Sequence, residues 1–115
     1  MLATHIFAAM AALTFTASAL TVRNKHVADF RLFGAQGCSQ RNEGIWTVID
    51  DDFKPDECKS LNGLPATSIL NVNISPGCQL SLYSDDTCST GKHDCLPKQC
   101  CNNENDWKAW SILCQ

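Results

Sequence analysis

The eight cysteines are the residues of this chain best equipped for chemistry. They stand at Cys38, Cys58, Cys78, Cys88, Cys95, Cys100, Cys101 and Cys114, separated by nineteen, nineteen, nine, six, four, no and twelve residues. Structural zinc sites and thioredoxin-type redox centres are built on a C-x-x-C pair, and no such pair occurs. An even number of cysteines in a short chain with an export signal reads instead as a disulfide framework. The expectation is that all eight are cross-linked, leaving no thiol nucleophile. Adjacent side chains on an extended backbone point to opposite sides, so Cys100 and Cys101 are expected to bond different partners. Eight cysteines allow about a hundred connectivities, and spacing does not choose among them. Cys78 and Cys88 are expected to tie the hairpin they bracket to its neighbours.

The remaining chemistry-bearing residues form no catalytic set. His26 and His93 have no Ser or Asp signature around them, and no Gly-x-Ser-x-Gly elbow occurs. No catalytic residue is expected, and the chain reads as a non-enzyme. The carboxylates of Asp50-Asp51-Asp52 and Asp85-Asp86 suit a hard cation, but calcium takes roughly six to eight oxygens. Aspartate is so common at turns that an ordinary acidic turn is the reading at Asp85-Asp86, and a solvated strand end is the reading at Asp50-Asp51-Asp52, with no metal or cofactor. Trp46, Trp107, Trp110 and Tyr83 offer aromatic surface for a carbohydrate or a protein partner. In a strand running from Trp107 to Cys114, Trp107 and Trp110 lie on opposite faces. Trp110 shares the phase of Ile112 and is expected inside; Trp107 is then outward. Trp107 and Tyr83 are therefore the candidate binding residues. Asn73-Ile74-Ser75 is an N-glycosylation sequon, although the Pro76 that follows reads against its use.

Short strands must position these groups. The central stretch is Gly77 to Cys88, GCQLSLYSDDTC. Leu80 and Leu82 alternate with polar neighbours, two aspartates make a turn, and a cysteine stands near each end. Upstream, the expected strands are Asp29 to Gly34, with Phe30 and Leu32 on one face, and Gly44 to Asp50, rich in β-branched and aromatic residues. A third runs from Thr67 to Ile74, with Leu70, Val72 and Ile74 inward and Asn71 and Asn73 outward. The last is Trp107 to Cys114. No helical periodicity of useful length appears after Leu20. Strands at roughly ten-residue spacing point to an all-β sandwich.

Residues 1–19 read differently. They contain no Lys, Arg, Asp or Glu and close on Ala17-Ser18-Ala19. That is an apolar segment with an A-x-A cleavage site, expected to be a signal peptide that leaves no membrane attachment. Residues 20–28 read as an N-terminal arm and 29–115 as one disulfide-bonded β domain. A net charge of −3 with scattered basic residues argues against nucleic acid and anionic lipid as partners.

The two halves echo each other. Phe30-Arg31-Leu32-Phe33 is followed by Cys38-Ser39, and Leu80-Ser81-Leu82-Tyr83 by Cys88-Ser89. Each half continues to a Ser-Ile strand, at Ser68-Ile69-Leu70 and at Ser111-Ile112-Leu113. The order resembles the two-motif βγ-crystallin-like Greek-key fold. The phrases GCQLSLYSDDTC and WKAWSILC are similar to those of small secreted cysteine-rich proteins of filamentous fungi, a group that includes many candidate effectors. The resemblance implies a two-Greek-key, βγ-crystallin-like sandwich. Asp85, Asp86 and Ser89 fall close to the calcium-binding element of some such domains. Thr90 departs from its last position, and the element sits in a hairpin loop rather than before a Ser-Ile strand. By the same resemblance the chain is a secreted, extracellular binding protein, monomeric, with an unidentified extracellular protein or glycan as partner. An antimicrobial or killer-type toxin is the alternative, disfavoured by the acidic charge; a carbohydrate-binding module is a second.

Overall fold

In a computed structural model, residues 25–115 are described; the expected signal peptide, residues 1–19, and most of the expected arm lie outside them. Cys78–Tyr83 is a strand (β5) with Leu80 and Leu82 fully buried. It pairs antiparallel with His93–Cys95 (β6) on one side and Ala109–Cys114 (β8) on the other, and Lys59–Ser60 (β3) completes that sheet in the order β3-β8-β5-β6. The second sheet runs β2-β1-β4-β7, where β1 is His26–Phe33, β2 Asn42–Ile49, β4 Ser68–Ile74 and β7 Cys100–Asn102. No described helix is long and apolar enough to cross a membrane.

The order is the same twice. In each half a hairpin (β1-β2, β5-β6) is joined by its fourth strand (β4, β8), while its third strand crosses to the other sheet (β3, β7). This is the two-Greek-key sandwich that the repeated sequence order implied. The two β-hairpin loops match in backbone detail: Cys38 and Cys88 both adopt left-handed φ, 53° and 57°. Gly34 N–H donates to the Arg41 carbonyl across one loop, and Ser84 N–H to the Thr90 carbonyl across the other.

All eight cysteines are bonded, as Cys38–Cys100, Cys58–Cys88, Cys78–Cys114 and Cys95–Cys101. Two of these obey the repeat. Cys38 and Cys88 in the hairpin loops each hold the cysteine at the head of the strand received from the other half, Cys100 for β7 and Cys58 for β3. Cys100 and Cys101 do have different partners, and Cys78 and Cys88 do tie the central hairpin outward, to β8 and to the lead into β3.

Three sequence expectations are corrected. β1 begins at His26, so residues 26–28 belong to the sheet rather than to an arm. Asn71 is buried, not outward, and Ile69 shares its side. The cause is a register shift: Asp29 pairs with Asn73 and Phe30 with Asn71, so Val72 is an extra residue that reverses the alternation. β8 begins at Ala109, so Trp107 precedes the strand and strand alternation does not place it. Between the sheets lies one core holding Phe30, Leu32, Val48, Leu61, Ile69, Leu80, Leu82, Trp110 and Ile112, with Cys95 and Cys101 part of it.

Candidate functional site

Neither aromatic singled out as a binding residue is on the surface. Trp107 is 4% exposed; its Nε1–H donates to the Cys101 carbonyl at 3.0 Å, its backbone N–H donates to Ala66, and His93 stacks on its ring at 5.8 Å. Tyr83 is 6% exposed, and its hydroxyl lies 3.0 Å from Ser111 Oγ, which in turn donates to Asp56. Both residues hold the sandwich together. Trp110 is buried, as its phase with Ile112 implied. Asn73 is exposed near the end of β4.

The acidic turn spends its oxygens on itself. Asp85 accepts from the hydroxyls of Thr87 (2.6 Å) and Ser89 (2.5 Å) and from the N–H groups of Ser89 and Thr90. Those hydroxyl and amide donors hold the Asp85 carboxyl well below the usual carboxylate range. The Asp86 carboxylate accepts a long contact from Ser60 Oγ, at 3.4 Å. No group of three or more His, Cys, Asp or Glu side chains converges among the described residues. Asp50–Asp52 forms a short 3-10 turn in which Asp52 Oδ2 accepts the Ile49 N–H at 3.0 Å.

Among the described residues, the histidines do not form a nucleophile-activating set. His26 Nε2 lies 2.9 Å from Asp29, whose other oxygen accepts from Thr47 Oγ1 at 2.8 Å. The carboxylate stands between imidazole and hydroxyl, whereas activation of the hydroxyl needs the imidazole in the middle.

The repeat exposes a site that sequence reasoning passed over. The register equates Phe30 with Leu80: the first pairs with Trp46 on β2, the second with Cys95 on β6. It equates Ile69 on β4 with Trp110 on β8, partners of Leu32 and Leu82 respectively. Ile69 pairs with Cys101 on β7, and Trp110 with Lys59 on β3. At one mouth of the sandwich, therefore, Cys95 and Cys101 join the two sheets covalently. At the equivalent mouth stand Trp46 and Lys59, with no bond between the sheets.

There the structure has a cleft of about 440 Å³, lined by Trp46, Asp52, Lys59, Ser60, Asn62 and Trp110. Its floor is an aromatic cluster. Trp46 lies parallel to Phe30 at 6.2 Å, and Trp110 meets Trp46, Phe30 and Phe53 edge-to-face at 6.3, 5.7 and 6.3 Å. Its rim is polar. Ser60 Oγ accepts the Asn62 N–H at 2.9 Å, shaping the turn after β3, and Asn62 sits at φ 58°. Lys59 Nζ is 3.6 Å from Glu57, whose carboxyl is held below its ordinary value by the Lys54 N–H first and the Lys59 charge second.

Two smaller cavities of about 330 and 220 Å³ are lined by Asp50 and by Asn71 respectively. One residue lining each cavity carries a buried polar atom without a hydrogen-bond partner among the described residues: Asp50 Oδ1, Asn71 Oδ1 and Trp110 Nε1. The first two are acceptors at carboxylate and amide oxygens, whereas the third is a donor. The sequence did not show the cleft: the offset that equates Phe30 with Leu80 and Cys38 with Cys88 sets Ile45 against Cys95, and only the strand pairing brings Trp46 to the equivalent place. No family model, curated protein or solved structure matches the chain.

Proposed function

We propose that the chain is a secreted, non-catalytic recognition protein of the fungal small cysteine-rich type, effector-like, which presents the open mouth of its sandwich to an extracellular protein or glycan. The observation that carries this reading is the broken symmetry. Two halves share strand order, loop conformation and two of their disulfides, yet one mouth is bridged covalently and the other is an aromatic-floored, polar-rimmed cleft. Stability alone favours two closed mouths, so an open one suits a role at the surface. Cross-links that restrain local opening also suit a protein exposed to extracellular proteases. The acidic charge sets the reading apart from a membrane-active toxin.

The test uses the oxidised, purified chain, labelled and applied to isolated cell-wall material and to extracellular-matrix protein. Saturable retention that disappears after reduction is the expected result. Inhibition of bacterial or fungal growth without such retention assigns the toxin instead.

A further inference from the structure

The open mouth lies between two sheet edges, β2 and β3. Of the four edge strands among the described residues, β3, β6 and β7 have two or three residues, whereas β2 has eight. Lysine and proline, which blunt exposed edges, are absent from it. On an edge strand every second residue turns its N–H and C=O away from the sheet. Ile49 is one of these: its N–H donates to Asp52, while the next N–H, of Asp50, donates back to the Lys25 carbonyl just before β1. Pairing with β1 runs unshifted from Ile45 to Val48, so the two-residue period turns Thr47 and Ile45 outward as well. The side chain of Trp46, between them, lines the cleft. A strand added beside β2 therefore sets alternate side chains over the same cleft. Sheets take up extended peptides by this combination, an edge for the main chain and a pocket for every second side chain.

Charge selects among peptides. The lip from Asp50 to Ser60, which carries the chain from β2 to β3, holds five acidic residues and two lysines, a net charge of −3. Lys25 beside Asp50 leaves it acidic. Arg41 and Glu43 at the other end of β2 offset each other, and Arg31 shares the face of Ile45, away from the cleft. Trp46 turns one ring face to Phe30, which it meets in parallel at 6.2 Å, and leaves the other toward the open edge. An indole face beside a carboxylate suits a guanidinium, whose stem covers the ring and whose fork reaches the acid. Asp52 gives Oδ2 to Ile49, which leaves Oδ1 to the guanidinium, and Lys59, the base of the lining, is 3.6 Å from Glu57. We infer that β2 receives an extended basic peptide segment as the fifth strand of its sheet, with an arginine of that segment laid over Trp46 toward Asp52. The inference rests on the recognition-protein reading and names the class of partner at its site.

The probe is a blocked peptide of about eight residues, alternating arginine with threonine, titrated into the oxidised ¹⁵N-labelled chain. The expected result is saturable binding in which the Ile45 and Thr47 amides shift and gain protection from exchange. Glutamate in place of arginine abolishes the binding, and lysine weakens it several-fold, since an ammonium neither stacks nor forks. Methylating alternate backbone nitrogens of the peptide keeps every charge; in the phase that faces β2 it removes binding, and in the other phase it does not. Thr47→Pro deletes an outward N–H and costs the chain its hydroxyl bond to Asp29, with a loss of about tenfold expected. Asp52→Asn, which still accepts from Ile49, gives a several-fold loss. The methylated peptides need no change in the protein and decide the matter should Thr47→Pro fail to fold. Binding that survives methylation in both phases is charge attraction alone and overturns the strand site. So does a chain that sediments as a dimer with Ile45 and Thr47 already protected, because a second copy then covers β2. Retention on matrix protein without these amide shifts overturns the inference and leaves the recognition reading standing. Absence of retention together with absence of shifts overturns both.

Discussion

At the scale of single residues, the structure turns on which polar groups have partners. Trp107 and Trp110 are both buried tryptophans, but only Trp107 donates its indole hydrogen to a backbone carbonyl. Trp107→Phe removes the indole bond to the Cys101 carbonyl, which keeps its place in the ladder opposite Ile69, whereas Trp110→Phe removes a donor that bonds nothing among the described residues. Both substitutions lose similar volume. Urea unfolding should therefore show Trp107→Phe the less stable of the two, by about 1 kcal/mol, the net worth of one hydrogen bond. Asp85 poses the opposite case, an exposed carboxylate whose partners all lie in its own loop. Its carboxyl is depressed in the folded chain, so it contributes stability above the ordinary aspartate range near pH 4 and loses that contribution as pH falls from there. Asp85→Ala should lower Tm at pH 7, and the gap from the parent protein should narrow progressively below about pH 4. Calcium at about millimolar concentration should leave Tm unchanged, because a cation needs several free oxygens and both of Asp85 already accept hydrogen bonds.

At the scale of elements, the exchanged strands are the weak parts and the disulfides meet that weakness. β3 has two residues and β7 three, too few to hold their places by pairing alone. Each is fastened at its head to the opposite hairpin loop. The Cys38–Cys100 bridge spans 62 residues, and a cross-link closing so long a loop contributes about 4 kcal/mol in the chain-entropy account. Replacing both cysteines by alanine should lower stability by about that amount. Hydrogen exchange should show β7 losing protection first, at the amides paired with β4. Much of this was legible from residues. The alternation of Leu80 and Leu82, the Phe30–Leu32 face and the repeated Cys-Ser after each aromatic strand end all lie where the spacing put them. The inward face of β4 was misassigned at Leu70 and Asn71, because one extra residue at Val72 inverts a two-residue period without leaving a mark in composition. Trp107 was misassigned because the strand begins two residues later than the apolar run.

At the scale of the whole molecule, one modest core and four bridges share the work of holding two similar units together. Cys95 and Cys101 belong to both, since they are cross-link and core at once. Full reduction should therefore abolish cooperative melting rather than shift it, and should turn a protease-resistant chain into a rapidly digested one. Calorimetry and timed proteolysis with and without reductant check this. A reduced chain that still melts cooperatively at the same temperature would mean that burial alone suffices.

Composition and spacing by themselves determined the all-β class, the participation of every cysteine in cross-linking, the doubled Greek-key order and the burial of Trp110. These follow from local rules: alternation, cysteine parity and repetition. Only the tertiary structure decided which cysteines pair, that Trp107 and Tyr83 face inward, and that Trp46 and Lys59 flank a cleft where the other half has a disulfide. Those outcomes depend on strands exchanged between sheets and on a single bulge. Such features place residues side by side that are far apart in the chain, and no local pattern encodes their distance.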